Sequence, residues 1–306
     1  MMLCKEFVEE IVNGLQELLP ETTVNAQEVV KNNDITYNGI LIRKNGDSIA
    51  PTFYIENYLN VEENIYFTPQ NIQRIVKEIF NAYKDVGKST PTNLDNIGEF
   101  IKDFSNVKSL LRMRLINKNN NTKLFETIPY IPFLDMAIIA VIELGGSKQG
   151  YASTKVSHGL LQQWGYTSLS DILPIAKENT FKEPHVLQNI VEIMLEMMDI
   201  PEEIFEGAFM PFMPMYVLTN KNKLHGATEI CNYSTMQDIA DKFKSDLYVI
   251  PSSIHEVIIV PKEDNNNIDV ASLTEMVKEV NGSEVSPEEV LSNHAYVFTR
   301  DNGWDF

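Results

Sequence analysis

The sequence predicts an α+β protein of largely antiparallel sheets and packed helices, in two domains. Three observations predict it. Apolar residues recur every three or four positions in some segments and alternate in others, so helices and strands are both present. The strand-like segments are joined by short turns, which connect antiparallel neighbours. No glycine-rich phosphate loop is present, and it is the antiparallel pairing that argues against a doubly wound nucleotide fold.

Leu3, Phe7, Val8, Ile11, Val12, Leu15, Leu18 and Leu19 lie on one helical face, and Pro20 ends that helix. A hairpin follows, with strands over 23–30 and 35–43 around the turn-forming Asn32-Asn33-Asp34. A third strand, 51–55, comes after a turn at 45–47. Thr68 reads as an N-cap with Pro69 at the first helical position, and Ile72, Ile75, Val76, Ile79, Phe80 and Tyr83 form the buried stripe. The result is an αβββα domain over 1–90, with its boundary in the Gly, Ser, Thr and Pro stretch 87–95.

The larger domain, 91–306, opens on Leu111, Met113 and Leu115 alternating with Arg112 and Arg114, a strand with one wet face. Residues 133–142 read as a central strand covered on both faces. Helices are expected over 154–164, over 169–178 with Ser168 and Asp171 spaced as a capping box, and over 185–198. Met194, Met197, Met198, Met210, Met213 and Met215 are read as core packing. The strand pairs 216–218 with 227–230 and 247–250 with 254–260 enclose a helix carrying Met236, Ile239, Ala240 and Phe243, giving a ββαββ core. Helices over 270–280 and 287–291 and a strand over 296–299 complete the chain.

Composition bounds the function. With 25 Lys and Arg against 43 Asp and Glu the formal charge is −18, which repels nucleic-acid phosphates and anionic lipid, so neither nucleic acid nor membrane is an expected partner. No apolar run reaches membrane-spanning length, and the N-terminal residues lack the blocks of a secretory signal. Two distant cysteines, Cys4 and Cys231, suit the reducing cytoplasm. A His-Glu-x-x-His helix and a Gly-x-Ser-x-Gly elbow are both missing, and no metal or cofactor is expected.

Chemistry-bearing residues concentrate in 250–261. On an extended chain Ser253 and His255 share a face while Glu256 points away, so Ser253 and His255 are the candidate catalytic pair. Ser252, Glu256, Asp135 and His225 are the candidate binding residues. Asp135, inside the most apolar strand, is expected to pair with Arg112 or Arg114. His158, His185 and His294 are scattered without a second ligand at metal-binding spacing.

These segments resemble a bacterial family known only as a domain of unknown function. The resemblance runs over 48–58, 128–140 with Phe133-Leu134-Asp135, Trp164-Gly165 with 176–180, Val217-Leu218-Thr219-Asn220, 251–257, and Glu279-Val280-Asn281 with 287–292. The string Pro251-Ser252-Ser253-Ile254-His255-Glu256-Val257 is its most specific part. The resemblance implies a cytosolic protein and supplies no activity. The leading expectation is therefore a binding protein with a protein partner. The alternative is a hydrolase or transferase using Ser253 and His255, and a third reading is an acidic decoy for a nucleic-acid-binding protein.

Overall fold

A computed structural model describes residues 4–44, 50–59, 68–89, 97–147, 150–198, 214–262 and 269–304. The predicted turn at 45–47, much of the boundary stretch 87–95, and Met210 and Met213 fall outside them. The fold is α+β with three antiparallel sheets among the described residues. The chain divides into two compact units, Met1–Val107 with Leu144–Ala152, and Lys108–Glu143 with Ser153–Phe306.

The first unit begins with helix α1, Lys5–Leu18, followed by strands β1 (Thr22–Val30), β2 (Thr36–Lys44) and β3 (Thr52–Tyr54) and helix α2 (Pro69–Ser89). Short helices α3 (Ile97–Lys102) and α4 (Phe104–Val107) follow. The sheet order is β1-β2-β3, which leaves β1 at an edge. The middle of the stripe predicted for α1 is buried, Phe7, Val8, Ile11 and Leu15 meeting Ile75, Val76 and Ile79 of α2 over Val24, Ile40, Ile42 and Phe53 of the sheet, whereas Leu18 is exposed and Leu3 lies outside the described residues. Fully burying one such side chain is worth roughly 2 kcal/mol, so this single cluster accounts for much of the unit's cohesion. Gly39, in the middle of β2, is needed for close approach, because a Cβ there would lie 2.7 Å from the Thr52 side chain.

The second unit contains β4 (Leu111–Asn117), β5 (Ile131–Phe133), most of β6 (Met136–Ser147) and the end of β7 (Gly150–Lys155). It continues through α5 (His158–Gln163), α6 (Leu169–Thr180), β8 (Val186–Asn189), α7 (Ile190–Met198), β9 (Tyr216–Thr219), α8 (Tyr233–Phe243), β10 (Leu247–Ile250), β11 (Val257–Pro261), α9 (Val270–Ser283), β12 (Tyr296–Thr299) and β13 (Gly303–Trp304). One sheet runs β4-β6-β5, with β7 also pairing β6; the other runs β13-β12-β10-β11-β9-β8. The capping box expected at Ser168 and Asp171 is formed at the start of α6.

Several expectations are corrected. The strand predicted at 227–230 is a 3₁₀ turn, Gly226–Cys231, so β9 pairs instead with β11 and β8. The start of the helix predicted over 185–198 is strand β8, because Val186 and Leu187 find partners in Thr219 and Leu218. The helix predicted over 154–164 begins only at His158, and 287–291 forms a turn rather than a helix. The predicted strand 133–142 is broken by a tight turn: Phe133 pairs with Met136, leaving Leu134 at φ 55° and Asp135 at the tip. Met194 and Met197 are 42% and 82% exposed rather than core residues, since α7 turns them away from its packed side.

Candidate functional site

The run that sequence singles out is only partly extended. β10 stops at Ile250 and β11 starts at Val257, so 251–256 is a loop and Ser253 and His255 are not strand neighbours sharing a face. Ser253 is buried, and its Oγ accepts the backbone N–H of His255 at 3.0 Å. The Ser253 N–H reaches the Glu256 carbonyl at 3.3 Å and the Ser252 N–H the Ile250 carbonyl at 3.0 Å. These bonds fold the loop back on itself, a local serine turn of the kind that competes with regular structure.

Folding brings His225 to this loop. Residues 220–225 are held by the Asn220 amide, which donates to the Leu224 carbonyl at 2.8 Å and accepts from Asn222 and Leu224. His225 then turns through φ 55°, and its N–H donates to His255 Nδ1 at 3.2 Å. The His255 carbonyl accepts the Thr219 hydroxyl at 2.8 Å. Gly226 makes this closure feasible: a Cβ would lie 2.1 Å from Thr219 Oγ1, 2.6 Å from the Asn220 nitrogen and 2.7 Å from the His255 oxygen.

The bond to Nδ1 fixes the chemistry of His255. A neutral ring accepting there carries its proton on Nε2, which faces Glu289 Oε1 at 3.4 Å. Nδ1 is thus committed to the protein, Nε2 lies beside the Glu289 carboxylate, and the lone pair does not face the Ser253 hydroxyl. His225 packs its ring 5.4 Å from that of His255. Burial, followed by the charges of Arg114, His255 and Lys155, pushes the His225 pKa down to about 3, so its ring stays neutral at physiological pH. Within the 3₁₀ turn that follows, burial alone lifts the Glu229 carboxyl to about 7.

Asp135 is elsewhere, and its partners differ from those expected. Arg112 and Arg114 both approach Glu143, at 3.6 Å, whereas Asp135 faces residues 292–296. Its Oδ2 accepts the Ser292 hydroxyl at 2.9 Å and lies 2.8 Å from His294 Nδ1, and its Oδ1 accepts the Tyr296 hydroxyl. The turn tip explains this: the left-handed Leu134 presents the carboxylate outward, to groups that can satisfy it, instead of into the apolar sheet. Burial and the hydrogen bond to Asp135 raise the Tyr296 pKa. Because an ionised carboxylate only accepts, His294 Nδ1 carries the proton. In the neutral ring that leaves Nε2 as the acceptor, on a side chain that is 53% exposed.

Sequence reasoning missed Ser292, His294 and Tyr296, although a signal was present. The Ser-x-His spacing of Ser253 and His255 repeats at Ser292 and His294, and in both the histidine N–H bonds the serine Oγ at 3.0 Å. The two turns set opposite tautomers. Among the described residues no group of three His, Cys, Asp or Glu is placed to hold a metal ion.

The first unit carries a different opening, a groove of about 670 Å³ lined by Lys5, Val8, Glu9, Val12 and Asn13 of α1, residues 24–28 of β1, and Asn38. Gln16 closes one end, and its carboxamide behaves like a piece of strand: Nε2 donates to the Thr22 carbonyl at 2.8 Å and Oε1 accepts the Val24 N–H at 3.1 Å. The even-numbered residues of β1 therefore direct their backbone away from β2. Their partners agree, since Ile42, opposite Val24, donates outward to Pro51, and Asn38, opposite Glu28, donates outward to Glu56. Beyond Gln16 the outward groups of Ala26, Glu28 and Val30 have no backbone partner among the described residues, and all three side chains are exposed. Nothing in the residue types of β1 announces this.

Comparison with known proteins gives one match. The chain belongs to the family of unknown function DUF5688, whose model matches residues 4–300. No curated protein and no solved structure matches.

Proposed function

We propose that this member of DUF5688 is an intracellular binding protein that holds a polypeptide partner in the groove between α1 and β1. The observation that carries the reading is the uncovered rim of β1 at Ala26, Glu28 and Val30. An edge strand without Pro or Lys is a pairing surface that proteins ordinarily cover or guard, and β1 has neither residue. Two cysteines free of disulfides, Cys4 and Cys231, support a reducing compartment. No helix of the described residues is long and apolar enough to cross a membrane.

The test is retention of proteins from a cell extract by the immobilised full chain, compared with Asn13→Trp. Asn13 is exposed on the groove wall, so the indole fills the space without entering the core. Proteins retained by the parent and lost with Asn13→Trp are the expected result. Identical retained sets would contradict the reading.

A second reading, acid-base chemistry, is favoured by one observation, the exposed His294 ring with its Nδ1 on Asp135. It differs from the Ser253 and His255 alternative, whose imidazole lone pair is taken by the His225 N–H. Turnover of an activated ester panel that disappears with His294→Gln and survives His255→Gln would establish it. Equal loss from both substitutions, or no turnover at all, would remove it.

A further inference from the structure

We infer that the groove takes its partner as an added β-strand, and that the partner is an extended segment of another protein carrying an apolar and a basic side chain two positions apart. This rests on the binding reading above and deepens it.

The Gln16 carboxamide already supplies β1 with the donor and acceptor that a neighbouring strand would supply at Thr22 and Val24. The same pattern continues, unfilled, at Ala26, Glu28 and Val30, a rim of alternate outward N–H and C=O groups. An extended chain laid beside it satisfies these groups in register, the recognition mode of strand addition. Gln16 sets where the added strand must stop.

Val24, Ala26 and Glu28 point to the same face as the buried Ile40 and Ile42, which lie opposite Ala26 and Val24, so they face α1. In an added strand the residue beside Ala26 is directed toward Val8 and Val12, and an apolar side chain fits there. The residue two positions along meets Glu28, which is exposed and has no ion-pair partner among the described residues, whereas Glu9 on the opposite wall is paired with Lys5 at 3.5 Å. Helix α1 adds Glu6, Glu10 and Glu17 to its one lysine. This local excess of carboxylates selects a basic residue beside Glu28. It also disfavours a second copy of the chain, because the self-pairing that puts Ala26 opposite Val30 places Glu28 directly against its own equivalent.

The probe is the acetylated, amidated heptapeptide Thr-Lys-Thr-Val-Thr-Lys-Thr, titrated by calorimetry into the full chain, with its glutamate-for-lysine counterpart as control. The lysine peptide is expected to bind at least about tenfold more tightly than the control, and this preference should shrink as salt rises. Methylating the backbone nitrogens of Val and both Lys should abolish binding, while methylating alternate Thr nitrogens should leave it, because only one phase of an added strand faces β1. Ala26→Pro removes an outward N–H without touching the ladder to β2, and should weaken binding about tenfold or more.

Equal loss from both methylation phases, or binding unaffected by Ala26→Pro, overturns strand addition. If Asn13→Trp nevertheless strips proteins from the immobilised chain, the binding reading stands while this inference fails; if it strips none, both fail. A concentration-dependent dimer that Ala26→Pro dissolves, with no peptide binding, also overturns the proposal by making the occupant a second copy. The methylated peptides keep the test decisive should Ala26→Pro fail to fold.

Discussion

In the second unit the residues that look most like chemistry are turned to their own chain. Ser253 holds the His255 amide, His255 holds His225 and faces Glu289, and Asp135 gathers Ser292, His294 and Tyr296. In the first unit β1 shows one charged side chain among nine residues, yet its backbone has hydrogen-bonding groups left over at Ala26, Glu28 and Val30. Reactive residue types therefore mark where this chain has tied itself together, and the groups left open along β1 are backbone. His294 is the exception that bridges the two, a side chain fixed on one nitrogen and exposed beyond it.

If the His255 loop is a structural latch, damaging its fit should cost stability. Gly226→Ala is expected to have the largest effect, a loss of about 3 kcal/mol by urea denaturation, since both backbone atoms and a hydroxyl stand where the Cβ must go. A change below about 0.5 kcal/mol would mean that the latch tolerates opening, within the range of ordinary surface substitutions.

Glu229 gives the next largest effect and has a sign. Its folded pKa of about 7 lies above the ordinary 4.5, so the folded state binds the proton more tightly. This contribution is fully present below pH 4.5 and is lost as pH rises through 7. Glu229→Gln should therefore exceed the parent's stability at pH 8 by roughly 2 to 3 kcal/mol, an advantage that closes toward pH 4.5. His225 acts in the opposite sense, its depressed pKa of about 3 contributing stability above pH 6.5 that is lost as pH falls toward 3. An advantage of Glu229→Gln that stays constant across pH would contradict the burial argument.

Asp135→Ala should cost about 2 kcal/mol, because it leaves the Ser292 and Tyr296 hydroxyls without their shared acceptor, against about 1 kcal/mol for Ser253→Ala. Reversal of that order would move the structural weight to the His255 loop. The smallest effect, about 1 kcal/mol or less, belongs to Gln16→Ala. It should also speed hydrogen exchange of the Val24 amide while leaving the Ala26 amide unchanged, and unchanged exchange at Val24 would deny the carboxamide its role.

Local pattern made the first unit legible in the sequence. The stripes of α1 and α2 and the Asn32-Asn33-Asp34 hairpin are written in nearest-neighbour chemistry, and the structure has them nearly as read. In the second unit, what local pattern could not show was long-range closure. Residues 227–230 read as a strand in sequence, but the chain bends tightly at Gly226 to pack on the His255 carbonyl. The apolar setting of Asp135 in the sequence calls for a partner, but that partner lies more than 150 residues away, in a turn whose Ser-x-His form repeats that of 253–255. The open rim of β1 was not legible at all, because it depends on which strand ends the sheet and on where the Gln16 side chain reaches.

The central claim is that β1 offers free backbone beyond Gln16. Amide hydrogen exchange by NMR tests it residue by residue, in the free chain and with saturating Thr-Lys-Thr-Val-Thr-Lys-Thr. The account predicts slow exchange at Val24 in both states, and fast exchange at Ala26, Glu28 and Val30 that becomes slow only with peptide. Protection of those three amides in the free chain, or their continued fast exchange while peptide is bound, would contradict it.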